Sequence, residues 1–381
     1  MALDPQITDQ KTEAILNAQA EAAGGPVPPQ ARRADDPDVT RAIDEMIVKV
    51  GGNPASFDGR LIRDLVQTSL KLLPDGRDTG ELKLITNAVK ELRYAYRVFG
   101  KFRDPHKVTI FGSARTPPEH PDYLACVEFS KLMAAAGWMV ITGAGMGIMR
   151  AGHVGPGRAA SFGVAIRLPF ETSANEVIAG DEKLINFRYF FTRKLMFLSQ
   201  AEAVALCPGG FGTLDEAYEA LTLVQTGKSS PVPIIMLEGA GGDYWQSWEV
   251  WVKKQLLDRG WISPEDPNIY YIAKDPIDAM SHIVKFYRNY HSSRYVRDDL
   301  VIRLRKPLQP ADVARLEEEF KVLIKTGGMQ QGGPMEGELD ALELPRLIFR
   351  HTRHKFGLIL RLINRLNEFE PVASPPPLPP G

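Results

Sequence analysis

Residues 203–216 read Ala-Val-Ala-Leu-Cys-Pro-Gly-Gly-Phe-Gly-Thr-Leu-Asp-Glu. An apolar run from Val204 to Cys207 enters a proline–glycine turn, Pro208 to Thr213, and a helical pattern follows through Leu214, Ala217, Leu221 and Val224. Glycines at the carboxyl end of a parallel strand let the backbone turn tightly and approach a ligand without Cβ clashes. The first N–H groups of the next helix lack partners inside it, and the helix dipole adds to their attraction for a phosphate. Thr213 is placed to act as N-cap and as hydroxyl donor to the same phosphate. Glu216 reads two ways: as the far half of a capping box with Thr213, or as an acid one helical turn from a bound phosphate.

The alternation continues on both sides. KVTIFGSAR, WMVITGAG, SFGVAIRLP, EAVALCPGG and VPIIMLEG read as strands, and EFSKLMAAAGW, GIMRAGHVGPGRA, FTRKLMFLSQA and TLDEAYEALTLVQTG as the helices between them. This spacing predicts an α/β fold, a Rossmann-like doubly wound parallel sheet. The domain spans residues 105–296 and includes the Trp-bearing helix DYWQSWEVWVKKQLL, whose tryptophans fall on one stripe and read as core. A helical prefix at 37–104 precedes it. There Leu82, Ile85, Val89, Leu92, Tyr96 and Phe99 recur at the spacing of one buried helix face. A small α+β unit at 297–370 follows. Residues 1–36 read as a flexible arm and 371–381 as a Pro-rich tail.

Composition narrows the function. The 46 Lys and Arg against 47 Asp and Glu give a net charge of −1, so neither a nucleic acid nor a membrane partner is expected. No apolar stretch approaches the ~20 residues of a bilayer span, and MALDPQITDQK lacks the basic start and apolar core of a signal peptide. Cys126 and Cys207 sit in apolar runs and read as buried thiols in a reducing compartment. A cytoplasmic location is therefore expected. No motif calls for a metal or other cofactor, and His351 and His354 have no carboxylate or Cys at metal spacing.

The Pro-Gly-Gly-Phe-Gly-Thr-Leu-Asp-Glu string resembles the LOG (Lonely Guy) family of phosphoribohydrolases, long labelled lysine decarboxylases. Phe111-Gly112-Ser113-Ala114 resembles the turn after that family's first strand. Thr142-Gly143-Ala144-Gly145-Met146-Gly147-Ile148-Met149 resembles its second glycine-rich turn, and Thr192-Arg193-Lys194 its Arg-Lys pair. The resemblance implies a hydrolase that splits a nucleoside 5′-monophosphate into base and ribose 5-phosphate, acting as a homodimer or larger. It implies Arg193 and Glu216 as catalytic residues, and Ser113, Gly143, Lys194, Gly209, Gly210, Gly212 and Thr213 as substrate-binding. A carboxylate at the ribose stabilises the oxocarbenium-like cation and orients or deprotonates water, and Arg193 is expected to hold Glu216 ionised. Nothing in the sequence owns proton delivery to the base. Phe190-Phe191-Thr192 stands where the short cytokinin-activating members carry Met-His-Glu, and the flanking units resemble the longer bacterial members. Both point to AMP rather than a cytokinin nucleotide.

Other readings of the same residues stay open at this level. Arg193 and Lys194 also fit the solvated edge of an apolar helix, Ser113 also fits a helix cap, and Arg115 and Arg150 fit either phosphate contacts or surface. A dehydrogenase would need a third glycine at 148, whereas the chain has Gly147, and no acid ends the next strand. No pyridoxal-phosphate site is evident. A non-catalytic nucleotide sensor needs the turn but not Glu216.

Overall fold

The computed structural model describes residues 33–166 and 174–370; the arm up to residue 32, the end of the SFGVAIRLP run and the Pro-rich tail lie outside them. By its internal contacts the chain divides into two units, with the break between Arg93 and Tyr94.

The first unit carries α1 (Pro37–Lys49), α2 (Phe57–Lys71) and most of α3 (Thr79–Phe99). Ser56 caps α2 by accepting from Gly59 N, and Asp78 opens α3 by accepting from the Gly80 and Glu81 amides. Among described residues 33–93 only Ala34, Ile43, Ile47 and Gly59 are buried. The stripe expected on α3 is therefore mostly open, with Ile85 and Val89 exposed, because three short helices offer too little opposing surface. Its far end behaves differently: Ala95, Val98 and Phe99 are buried, and Phe99 stacks on Phe162 at 4.5 Å.

The second unit is built on the expected parallel sheet. Its strands are β1 (Lys107–Phe111), β2 (Met139–Thr142), β3 (Ser161–Ile166), β4 (Leu184–Phe187), β5 (Ala203–Leu206), β6 (Ile234–Met236) and β7 (Tyr270–Ile272). They run in the order β4-β3-β2-β1-β5-β6-β7, every neighbouring pair parallel. Helices α4 (Pro121–Ala135), α5 (Ile148–Val154), α6 (Phe190–Ser199), α7 (Phe211–Gln225), α8 (Tyr244–Val252) and α9 (Pro276–Phe286) flank it. The edge strands β4 and β7 escape the sequence pattern because they are short and neither follows directly on an α-helix. On α8 only part of the tryptophan stripe is core: Trp245 is buried and Trp251 exposed.

An antiparallel sheet of order β10-β11-β9-β8 closes the chain, from β8 (Tyr290–Val296), β9 (Asp299–Leu304), β10 (Ile324–Gly332) and β11 (Arg346–His351). It carries α10 (Pro310–Glu319) and α11 (Phe356–Leu366). The first strand of this sheet begins at Tyr290. The β8–β9 hairpin turns at Arg297, with φ 55°, where a glycine or asparagine would have signalled the turn. One hydrophobic core, from Val108 through Leu300, Ile302 and Leu304 to Phe369, runs through both sheets. Among the described residues no helix is long and apolar enough to cross a membrane.

Candidate active site

Strand β1 pairs with both β2 and β5, so the chain reverses its winding between β1 and β5. The carboxyl ends of strands at such a switch point frame a crevice. The cleft there is lined by the turn after β1 (Gly112 to Arg115), by Gly143 and Met149, by Phe190, Arg193 and Phe197 of α6, and by Gly210 to Glu216.

The phosphate-type turn is formed, but its helix starts earlier than read. α7 begins at Phe211, with Gly210 as an N-cap that has no side-chain bond. Thr213 therefore sits in the first turn, its N–H donating to Gly210 O at 3.0 Å, and is not the N-cap. Glu216 falls in the second turn, which removes the capping-box reading. The N–H groups of Phe211 and Gly212 open the helix with no preceding turn to accept them. A Cβ on Gly210 or Gly212 would meet open space, whereas one on Gly209 would collide with Thr213 Oγ1. Gly209 is thus a packing glycine behind the turn, not a lining residue, and its carbonyl accepts from Tyr244 Oη at 2.7 Å.

Ser113 ties three loops together. Its N–H donates to Pro208 O (3.1 Å), its carbonyl accepts from Ile148 N (2.9 Å), and its Oγ, facing the cleft, accepts from Arg115 N (3.1 Å). Arg193 donates from Nε to Val164 O at 2.8 Å and lies 5.0 Å over the Phe197 ring. A Cβ on Gly143 would stand 2.5 Å from Arg193 Nη2, so this glycine makes room for the guanidinium. Lys194 does not line the cleft: Nζ is held by Asp215 Oδ2 at 2.9 Å and Glu219 Oε2 at 2.5 Å.

Glu216 is buried, and its Oε2 has no hydrogen-bond partner. Burial pushes its carboxyl up to about 7, against the opposing pull of Lys194 and Arg193. The expectation that Arg193 keeps it fully ionised is corrected accordingly, because desolvation of the charged form outweighs both cations.

A family model described as "possible lysine decarboxylase" matches residues 146–283. A curated relative, the cytokinin riboside 5′-monophosphate phosphoribohydrolase of Mycobacterium tuberculosis, is 28% identical over 166 residues, 43% of this chain and 86% of its own length. By both matches the parallel-sheet domain is similar to the LOG family. Solved structures similar to part of this chain include the molybdenum cofactor binding protein of Rippkaea orientalis (24% identity, TM-score 0.33, 48% of this chain and 96% of that one). Another is the molybdenum cofactor carrier protein of Chlamydomonas reinhardtii (17% identity, TM-score 0.34, 48% and 97%). The strand order β4-β3-β2-β1-β5-β6-β7 is itself that of a doubly wound parallel sheet.

Several residues of the parallel-sheet domain had no sequence signal. Asn175 Nδ2 holds the carbonyls of Ala144 (3.0 Å) and Gly145 (2.9 Å), fixing a turn in which Ala144 adopts φ 64°, a conformation that favours glycine. Phe190 and Phe211 stand exposed at the cleft. Of the two open arginines, Arg115 lines the cleft, while Arg150 is engaged by Glu176 (2.6 Å) and Tyr123 Oη (2.6 Å). His351 lies buried: its Nδ1 is 2.6 Å from Tyr295 Oη, and burial lowers its pKa to about 4. Cys126 and Cys207 are buried and free. A small cavity near Val224, Leu300 and Phe356 is no rival site, since its Arg294 and Tyr295 are engaged by Asp340 and His351.

Proposed function

We propose that this protein hydrolyses the base–ribose bond of a nucleoside 5′-monophosphate, AMP foremost, releasing free base and ribose 5-phosphate. The observation that carries the reading is Glu216: a buried carboxyl with an unpartnered oxygen, in the same cleft as an open helix N-terminus. On this reading the amides of Phe211 and Gly212, with Ser113 and the Thr213 hydroxyl, take the 5′-phosphate, and the ribose lies against Glu216 with Arg193 orienting it. The C–N electron pair leaves with the base, and the carboxylate stabilises the cation that remains. Water then adds to that carbon, its proton passing to Glu216 and from there to the departed base. A group titrating near neutrality suits both halves of that proton transfer.

Incubation with AMP should yield adenine and ribose 5-phosphate by chromatography. Glu216→Gln should cut turnover by about 10²-fold or more while AMP still binds. Because the ionised form is the active one, kcat/KM should rise with pH through about 7. Intact AMP with measurable affinity would instead make the protein a nucleotide sensor. The Mycobacterium tuberculosis relative favours a second substrate, a cytokinin riboside 5′-monophosphate; the ratio of kcat/KM values for the two nucleotides decides between them. The proposal includes the pairing of two copies, and a monomer mass by light scattering would overturn that part. The two free buried thiols fit a reducing compartment such as the cytoplasm.

A further inference from the structure

Lys194 is turned away from the cleft by two acids of α7. Its side chain is only 18% exposed, with Nζ 2.9 Å from Asp215 Oδ2 and 2.5 Å from Glu219 Oε2. Those acids bracket Glu216, one residue before it and one helical turn after it, so the ammonium is pinned along the flank of the helix that presents the carboxyl. Burial alone would discourage charge on Lys194, but the hydrogen bonds to Asp215 and Glu219 outweigh it and keep the side chain cationic.

We propose that Lys194 is a positioning residue for the hydrolysis: locked between Asp215 and Glu219, it sets the balance between the neutral and ionised forms of Glu216. The proposal rests on the hydrolytic reading of the cleft. The charges that face Glu216 are Arg193 and Lys194 from α6 and Asp215 and Glu219 from α7. Two cations and two anions oppose one another around the carboxyl, and burial is the largest single influence on it. The cluster is therefore poised, and removing either sign should tip it. Without Lys194 the two acids are opposed by Arg193 alone, and the balance shifts against a third negative charge. Without Glu219 the cations dominate and favour it. A role confined to holding α6 against α7 gives no such opposition of sign.

The test compares the pH profile of kcat/KM for AMP in the full-length protein and in Lys194→Met, Lys194→Arg and Glu219→Gln. The inflection should move up by about one pH unit in Lys194→Met, return to the parental position in Lys194→Arg, and move down in Glu219→Gln. Loss of rate in Lys194→Met with an unmoved inflection would overturn the proposal. So would shifts of the same sign in Lys194→Met and Glu219→Gln. The second reading needs no substrate: a difference-infrared titration of the carboxyl band that Glu216→Gln abolishes. That band should follow the same pattern across the three variants, so the proposal fails if it does not move even when AMP is hydrolysed. If AMP is not hydrolysed but the band moves, only the hydrolytic reading fails. Should Lys194→Met not fold, Glu219→Gln, at a partly exposed side chain, decides the sign alone.

Discussion

Glu216 makes the protein less stable as the pH rises. The folded carboxyl titrates at about 7 against an ordinary 4.5. Between those values the folded state holds a proton that the unfolded state has lost, so stability falls as pH increases across that window. Below 4.5 both states are protonated and the penalty vanishes; above 7 it is fully present. Its size, roughly 3 kcal/mol, is comparable to a good part of a domain's net stability. Glu216→Gln removes the titration and keeps the shape. Urea unfolding should therefore show the variant more stable than the parent by about 2–3 kcal/mol at about pH 8, with the gain shrinking toward zero near about pH 4. An equal gain at both pH values would mean that the carboxyl is not desolvated in the folded protein. A buried acid that lowers stability, with one oxygen left without a partner, is the kind of compromise found where a side chain serves a reaction instead of the fold.

Elements meet at the cleft through backbone contacts that admit no side chain. A Cβ on Gly147, at φ +61°, would collide with Ser113 O, and one on Gly209 would crowd Ser113 N at 3.0 Å. Those contacts lock the turns after β1, β2 and β5 to one another. Gly143 differs, because what its Cβ would meet is Arg193 Nη2 and Met149 Sδ, each at 2.5 Å. Both are far ends of flexible chains, so Gly143→Ala should fold and yet displace the guanidinium. A misplacement of about 1 Å at a reacting centre costs on the order of 10²-fold. We expect Gly143→Ala to lose roughly 10- to 100-fold in kcat with a melting temperature near that of the parent; parental kcat would show that Arg193 is not needed where it lies. The glycines and the pair Arg193 and Glu216 were legible in sequence because each lies in a short contiguous string. The pairing of Lys194 was not, since its partner Glu219 is 25 residues further on and only the packing of α6 on α7 brings them together. The start of α7 was misplaced for a related reason: Phe211 and Gly212 carry no capping signature, and the helix begins there because Gly210 in extended conformation ends the turn. The paired parallel strands announced themselves as apolar runs, while β4, β7 and β8 owe their strand state to neighbours that a local pattern does not contain.

At the scale of the molecule, the antiparallel sheet is no detachable appendage. Leu300, Leu304, Leu347, Phe349 and Ile363 share one continuous core with Val108, Val140 and Ala205 of the parallel sheet. Asn367, just past α11, is buried at the junction and uses all its polar capacity there. Its Oδ1 accepts from Asn289 N (2.7 Å) and Tyr290 N (3.0 Å), and its Nδ2 donates to Phe286 O (2.6 Å) and Ile363 O (2.8 Å). One amide thus staples the end of α9, the start of β8 and the last helix. Asn367→Leu would leave two amide donors and a carbonyl buried without partners, at about 1–3 kcal/mol each. Partial relaxation reduces the sum, so we expect a loss of roughly 3–5 kcal/mol. If the core is continuous, that loss cannot stay local. The intrinsic fluorescence transition and AMP turnover should shift together to lower denaturant, in one cooperative step. Separate transitions, with the cleft still turning over AMP after the C-terminal sheet has melted, would instead mean that the two sheets fold independently.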